Sequence, residues 1–204
     1  MNARTYAFRG DTRRLLGEYS QAIQDFNKAI QLDSTESWFY YRRGWIKDEF
    51  IKDWQGGLDD YNRAIAIDKN YAYTYLHRGQ LYEMELKDTV KAKADYEMIL
   101  KLDTVITKNG NCRQYALFQL GRVNEAIEWS DKILESFPNE GNYYDAACLF
   151  SQLKQPAKAI DYLRKSFELG NRNFIHIMHD DDLDNIRQLP EFKTLIQEWK
   201  NKQK

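Results

Sequence analysis

Asp25-Phe-Asn-Lys-Ala-Ile-Gln-Leu-Asp33 returns as Asp60-Tyr-Asn-Arg-Ala-Ile-Ala-Ile-Asp68 and as Asp95-Tyr-Glu-Met-Ile-Leu-Lys-Leu-Asp103, 35 residues apart each time. A period in this range means one helical hairpin repeated along the chain, because a single hairpin cannot bury its apolar face alone. The small residue that opens the tight part of each second helix extends the register. It falls at Ala22, Gly57, Ala92, Ala126 and Ala159, at intervals of 35, 35, 34 and 33. Five units follow.

Within each unit the spacing is helical. Four residues past the marker come Phe26, Tyr61, Tyr96, Ser130 or Leu163, then Ala29, Ala64, Ile99, Ile133 or Ser166, which puts them on one buried face. Upstream, Gly10, Gly44, Gly79 and Ala147 recur in the first helix. A mid-helix glycine costs about 1 kcal/mol relative to alanine, so a neighbouring helix must approach too closely there for a side chain. Pro156 stands where the fifth unit's second helix begins, a position that tolerates proline.

Arg9, Arg43 and Arg78 precede the first-helix glycines, and Asp25, Asp60 and Asp95 precede the second-helix aromatics. Unit five lacks both, with Ala146 and Tyr162 in their places. We read them as an Arg–Asp bridge clipping two helices of one unit or of adjacent units; the alternative is two independent solvated positions. As a partly exposed pair the bridge is worth about 0–1 kcal/mol.

This small–aromatic–small pattern resembles the tetratricopeptide repeat, over roughly residues 3–170. Gly17-Glu18-Tyr19 with Ala22, Phe26 and Ala29 lies close to that family's consensus. The fourth unit departs from it at Gln114 and Ser130, and its start at Lys108-Asn-Gly-Asn111 predicts a looser or shortened first helix. The resemblance implies an all-α, right-handed α-solenoid of about five hairpins, spanning approximately 3–34, 37–69, 71–104, 107–138 and 140–170. Residues 171–204 are expected to cap it. There Gly170-Asn171 stops the last full helix, and the Asp-rich stretch caps a short helix over Leu183–Leu189. Pro190 starts another running to about Lys202, with Leu195, Ile196 and Trp199 as its apolar stripe. A similar Asp-Leu-x-x-Ile-Arg-x-x-Pro-x-Phe ending closes many bacterial tetratricopeptide proteins, and it covers a face that the final repeat would otherwise expose.

The resemblance also implies that the first helix of each unit lines a concave groove. Trp38, Tyr41, Arg42 and Trp45 from unit two, Tyr73 and His77 from unit three, and Tyr115 from unit four are the expected partner contacts. Aromatics and arginine are the residue types that anchor partners. Trp38, Tyr41 and Trp45 share one face by their spacing while Tyr40 and Gly44 supply the buried one. A carboxylate clamp of the kind that grips chaperone tails is not expected. Its positions read Ala7, Asp11, Arg42, Tyr73 and His77, without the required asparagines and with an acid that repels a carboxylate.

Composition narrows the function. A net charge of −1 with 30% charged residues supplies no field for nucleic acid or acidic lipid. No apolar leader or 18-residue apolar run occurs, so a cytoplasmic protein is expected as written, with export open if the chain is a fragment lacking its signal peptide. Cys112 and Cys148 read as structural thiols in a reducing compartment. Asp180-x-Asp182-x-Asp184 with Glu191 superficially matches a calcium loop, but Asn185 replaces the sixth-position glycine, and helix capping explains it better. His176 and His179 read as surface or packing residues. No metal, cofactor or catalytic set is assigned, and the chain is not expected to be an enzyme. The expected function is a non-catalytic scaffold binding a peptide or protein segment. The alternative is a structural or homo-oligomerising module, or an interaction domain of a larger bacterial protein.

Overall fold

The computed structural model describes residues 2–102 and 111–202. Two compact units divide the chain, residues 1–102 and 103–204. Helices are the only regular elements among the described residues, so the fold is an all-α helical repeat. None of them is long and apolar enough to cross a membrane.

The first unit holds three hairpins. These are α1 (Ala3–Leu15) with α2 (Tyr19–Leu32), α3 (Ser37–Trp45) with α4 (Trp54–Ile67), and α5 (Ala72–Met84) with α6 (Thr89–Leu102). Beyond Trp45 the chain continues as a π-helical segment, Ile46–Ile51. The second unit holds α7 (Asn111–Gln119) with α8 (Val123–Ser136) and α9 (Glu140–Gln152) with α10 (Pro156–Glu168). The expected weak start of the fourth unit at 108–110 lies outside the described residues.

Every marker residue is buried where two helices of a hairpin meet: Ala22, Gly57, Ala92, Ala126 and Ala159. The first-helix glycines are needed for the same reason. A Cβ on Gly79 would stand 2.7 Å from the Tyr96 ring, and one on Gly44 would stand 3.0 Å from Asp60 Cβ. Five residues before each marker, the hairpin turn takes left-handed backbone, at Gly17, Lys52, Lys87, Gly121 and Lys154. Glycine adopts this freely, whereas lysine does so at a cost. The sequence does not advertise this periodic position, because lysine occupies it in three units.

The Arg–Asp pairs form, and they do more than clip one hairpin. Arg43 donates from Nε and Nη2 to the two carboxylate oxygens of Asp60, at 2.9 and 2.5 Å, and from Nη1 to Asn27 Oδ1 of the preceding hairpin at 2.6 Å. Arg78 repeats this on Asp95 (2.9 and 2.6 Å) and Asn62 (2.7 Å). Arg9 grips Asp25 in the same forked way. The aspartates are only 3–4% exposed, while the arginine side chains stay partly exposed, at 17% in Arg43, 18% in Arg78 and 41% in Arg9, so each is a partly exposed pair anchored on a buried carboxylate. In the fourth hairpin the aspartate position holds Trp129, and the Arg113 guanidinium lies 4.9 Å from the centre of that ring. There a cation–π contact stands in the place of the ion pair.

The second unit ends in a cap built differently from the expectation. A helix that the sequence reading does not predict, α11 (Phe174–His179), comes first, capped by Asn173. The expected helix over Leu183–Leu189 is instead a 3-10 turn, Asp181–Leu183, running into α12 (Asp184–Arg187). Asp180 caps that turn by accepting from the Asp182 amide at 3.0 Å. The last helix, α13 (Pro190–Asn201), starts at its proline as expected. Phe192, Leu195 and Ile196 join Phe150, Leu163, Phe167 and Ile177 in one core, which covers the apolar face of α9 and α10.

Candidate partner-binding site

The first helices of the N-terminal unit carry a continuous aromatic and cationic surface. Trp38 of α3 lies 5.9 Å from Phe8 of α1 and edge-on to Phe26 of α2 at 6.0 Å. Phe8 itself is 63% exposed. The Arg42 guanidinium sits 5.6 Å from the Trp38 ring and 5.2 Å from the Trp45 ring, and Arg14 of α1 lies 4.7 Å from Trp45. Tryptophan and arginine therefore alternate along this face. Each planar guanidinium can stack on indole while keeping its donors free at the edges.

Asp11 orders the stack. Its Oδ1 accepts from Arg14 Nε at 3.1 Å and its Oδ2 from Arg42 Nη2 at 2.7 Å. Two guanidiniums thus share one carboxylate, leaving a local positive excess. Arg42 Nε is buried and has no hydrogen-bond partner among the described residues.

Beneath this row lies a floor. Tyr41 is only 5% exposed, with its ring edge-on to Tyr71 at 5.2 Å and tilted over His77 at 5.7 Å. Tyr41 therefore packs inside the unit, although its spacing from Trp38 and Trp45 predicts a shared accessible face. The next hairpin covers it, which a single helix's periodicity does not reveal. His77 also meets Trp45 at 5.7 Å and Tyr61 at 6.5 Å. Burial, and then the charge of Arg42, push its imidazole down to about 4. It is a neutral aromatic platform at ordinary pH. Tyr73 is half-buried beside Tyr71 at 5.7 Å.

Residue spacing does not predict the π-helical segment. Its wider turn carries Phe50 back onto Tyr19 of α2, stacked at 4.4 Å, and Trp45 rests edge-on against Phe50 at 5.8 Å. Such local widenings often occur at functional positions, and this one props the central indole. Tyr115, half-buried on α7, belongs to the second unit. The structure thus brings together Trp38, Arg42 and Trp45 as an accessible row over Tyr41 and His77. Phe8, Asp11 and Arg14 complete it from α1.

A TPR repeat family model matches residues 10–46, and a second tetratricopeptide repeat model matches residues 141–170. The chain carries tetratricopeptide repeats in both stretches. It is 29% identical over 83 residues to a chloroplastic protein of Arabidopsis thaliana, across 39% of this chain and 25% of that one. The chain therefore spans about a quarter of that relative's length. Among solved structures it is similar to TTC0263, a thermophilic tetratricopeptide protein of Thermus thermophilus. That likeness has a TM-score of 0.68 and 14% identity, and covers 85% of this chain and 94% of that chain. It is also similar to PilF of Pseudomonas aeruginosa, with a TM-score of 0.59, 16% identity and coverage of 98% and 89%. A third likeness is to the first TPR of Spaghetti (RPAP3) bound to HSP90 peptide SRMEEVD, with a TM-score of 0.52, 24% identity and coverage of 62% and 94%. At these identities the likeness is one of fold. Tetratricopeptide folds generally serve as scaffolds for protein–protein interaction.

Proposed function

We propose that this tetratricopeptide protein is a non-catalytic scaffold that holds an extended segment of a protein partner along the first-helix face of its N-terminal unit. The observation that carries this reading is the alternating Trp38–Arg42–Trp45–Arg14 stack, ordered by Asp11. Two guanidiniums over one carboxylate favour an acidic side chain, while the exposed Phe8 and the half-buried indoles offer apolar area beside it. The occupant is therefore a peptide pairing an acidic residue with an aromatic or aliphatic one. Trp38, Arg42 and Trp45 touch it, Tyr73 extends the strip, and Tyr41 and His77 support the strip from below. Tyr115 is a separate contact carried by the second unit.

Selection from a displayed random-peptide library against the full chain tests this. Enriched sequences should place an acid within one or two residues of a large apolar side chain, and Trp38→Ala/Trp45→Ala should lose them. Enrichment that survives in that double variant contradicts the proposal. So does a chain that proves to be a stable dimer whose dissociation depends on Trp38 and Trp45, because a second copy would then be the occupant.

A further inference from the structure

The second unit gathers donor atoms that the partner-binding face does not use. Cys148 and Asp180 lie 32 residues apart in sequence, yet Cys148 Sγ of α9 stands 3.9 Å from Asp180 Oδ2 at the start of the cap. His176 Nε2 of α11 reaches the same oxygen at 3.3 Å, and Tyr144 Oη donates to it. A carboxylate oxygen of Asp182 completes a group in which the thiol and both carboxylates lie mutually within 4.8 Å. The other Asp182 contact is with Gln152, whose Nε2 donates to Oδ1. Asp180 divides its work. Oδ1 caps the 3-10 turn, and Oδ2 faces the sulfur, the imidazole and the phenol.

We propose that Cys148, Asp180 and Asp182 bind one divalent cation of the zinc class, with the exposed His176 turning inward as the fourth ligand, and that the ion staples the cap to α9.

The thiol and the two carboxylates converge here, and the His176 imidazole approaches Asp180 alone. The thiol is only 8% exposed and faces the carboxylates. Bonds of about 2.0–2.3 Å to a tetrahedral zinc place neighbouring donors about 3.3–3.8 Å apart. The His176–Asp180 separation of 3.3 Å already matches, and the Cys148–Asp180 separation of 3.9 Å needs only a small closure. Sulfur and imidazole select a borderline-soft ion over calcium or magnesium, which take oxygen. The charges suit it as well. A thiolate and two carboxylates carry three negative charges, of which the ion neutralises two, while neutral His176 adds none. On binding, the Cys148 thiol passes its proton to solvent. Arg187 does not compete for the carboxylate group, because its Nη2 donates to the Asp180 main-chain oxygen and its Nη1 to Asp184. The calcium-like spacing of the aspartates conceals this set in the sequence, since the residue that changes the ligand class lies a whole hairpin upstream.

The test is titration of the reduced, chelator-treated full chain with zinc by calorimetry, and with cobalt(II) by absorption spectroscopy. One equivalent should bind, and cobalt should show the near-ultraviolet charge-transfer band of a thiolate ligand. Cys112→Ser should keep that band and Cys148→Ser should lose it. His176→Ala, at an exposed position, should weaken binding at least tenfold while the chain stays folded. If Cys148→Ser does not fold, the cobalt band in Cys112→Ser together with the His176→Ala affinity decides the matter. Absence of stoichiometric binding, cobalt bound without a thiolate band, or affinity unchanged in both Cys148→Ser and His176→Ala overturns the proposal.

Discussion

Arg42 of α3 reaches back across a repeat boundary to Asp11 of α1, with Nη2 at 2.7 Å from Oδ2, while its guanidinium lies over both Trp38 and Trp45. One side chain thereby fixes two neighbouring hairpins and separates two indoles. Arg42→Gln should leave the fold intact, because the buried clip beside it belongs to Arg43. It should weaken binding of an acidic peptide roughly tenfold, the scale of losing one charge-assisted contact of about 1.5 kcal/mol. Circular dichroism and an anisotropy titration check the two halves of this statement.

The repeated clips should differ in strength. Asp60 has two cations, Arg43 and Lys47, whereas the one ion pair described for Asp95 is with Arg78. Removing the arginine strands an almost fully buried carboxylate, at about 3 kcal/mol, the low end for a buried pair because the cation is partly exposed. Arg78→Ala should therefore cost about 3 kcal/mol and Arg43→Ala distinctly less, because Lys47 remains. Urea unfolding measures both. Equal losses would show that Lys47 does not compensate.

The first-helix glycines can be tested at Gly79. Alanine there gains about 1 kcal/mol of helix propensity, but its Cβ would stand 2.7 Å from the Tyr96 ring. Overpacking of this kind costs about 1–3 kcal/mol, so Gly79→Ala should lower the melting temperature. A rise would mean that the Tyr96 ring moves aside freely.

The left-handed lysines make the opposite prediction. Lys52, Lys87 and Lys154 have φ of 61°, 54° and 55°, a conformation that costs a side-chain-bearing residue about 1 kcal/mol. Replacing all three by glycine should raise stability by about 1–2 kcal/mol, after allowing for glycine's extra freedom in the unfolded chain. Chemical denaturation reads the gain, and a loss would show that the lysine side chains matter more than their backbone.

Two groups inside the first unit titrate against each other. Burial, opposed by a hydrogen bond from Tyr61 Oη, raises the Asp48 carboxyl from 3.8 to about 6. Its contribution is full below its unfolded value and is lost as pH rises through about 6. His77 is lowered from 6.5 to about 4, so its contribution is full above 6.5 and is lost as pH falls toward 4. Between pH 4 and 6 the slopes oppose each other, each spanning about 3 kcal/mol. Relative to wild type, Asp48→Asn should gain stability with rising pH in that window and His77→Gln should lose it. Parallel profiles for all three proteins would contradict the assignment.

Much of this is legible in the chain, and the failures share a cause. The markers from Ala22 to Ala159 and the Arg–Asp recurrence report local spacing, which fixes helix faces directly. Burial across a repeat boundary leaves no such trace. The recurrence predicts that Arg43 pairs with Asp60 but not that Asn27 of the previous hairpin joins them. Spacing places Tyr41 with Trp38 and Trp45, yet it cannot show that α4 and the stretch leading into α5 bring Tyr61 and Tyr71 against that ring. The π-helical turn that props Trp45 depends on where Phe50 lands against Tyr19, which is a tertiary event. The meeting of Cys148 with Asp180 depends on a cap that folds back over α9, and no motif of fixed length encodes that.

The scaffold reading rests most directly on the two indoles. The decisive measurement is the dissociation constant of a fluorescein-labelled, library-selected acidic peptide for the wild-type chain and for Trp45→Ala, both with matching circular dichroism and melting temperature. The account predicts at least a tenfold weaker complex for the variant, with a salt dependence that Arg42→Gln reduces. Equal affinity for the two proteins at equal stability would contradict it.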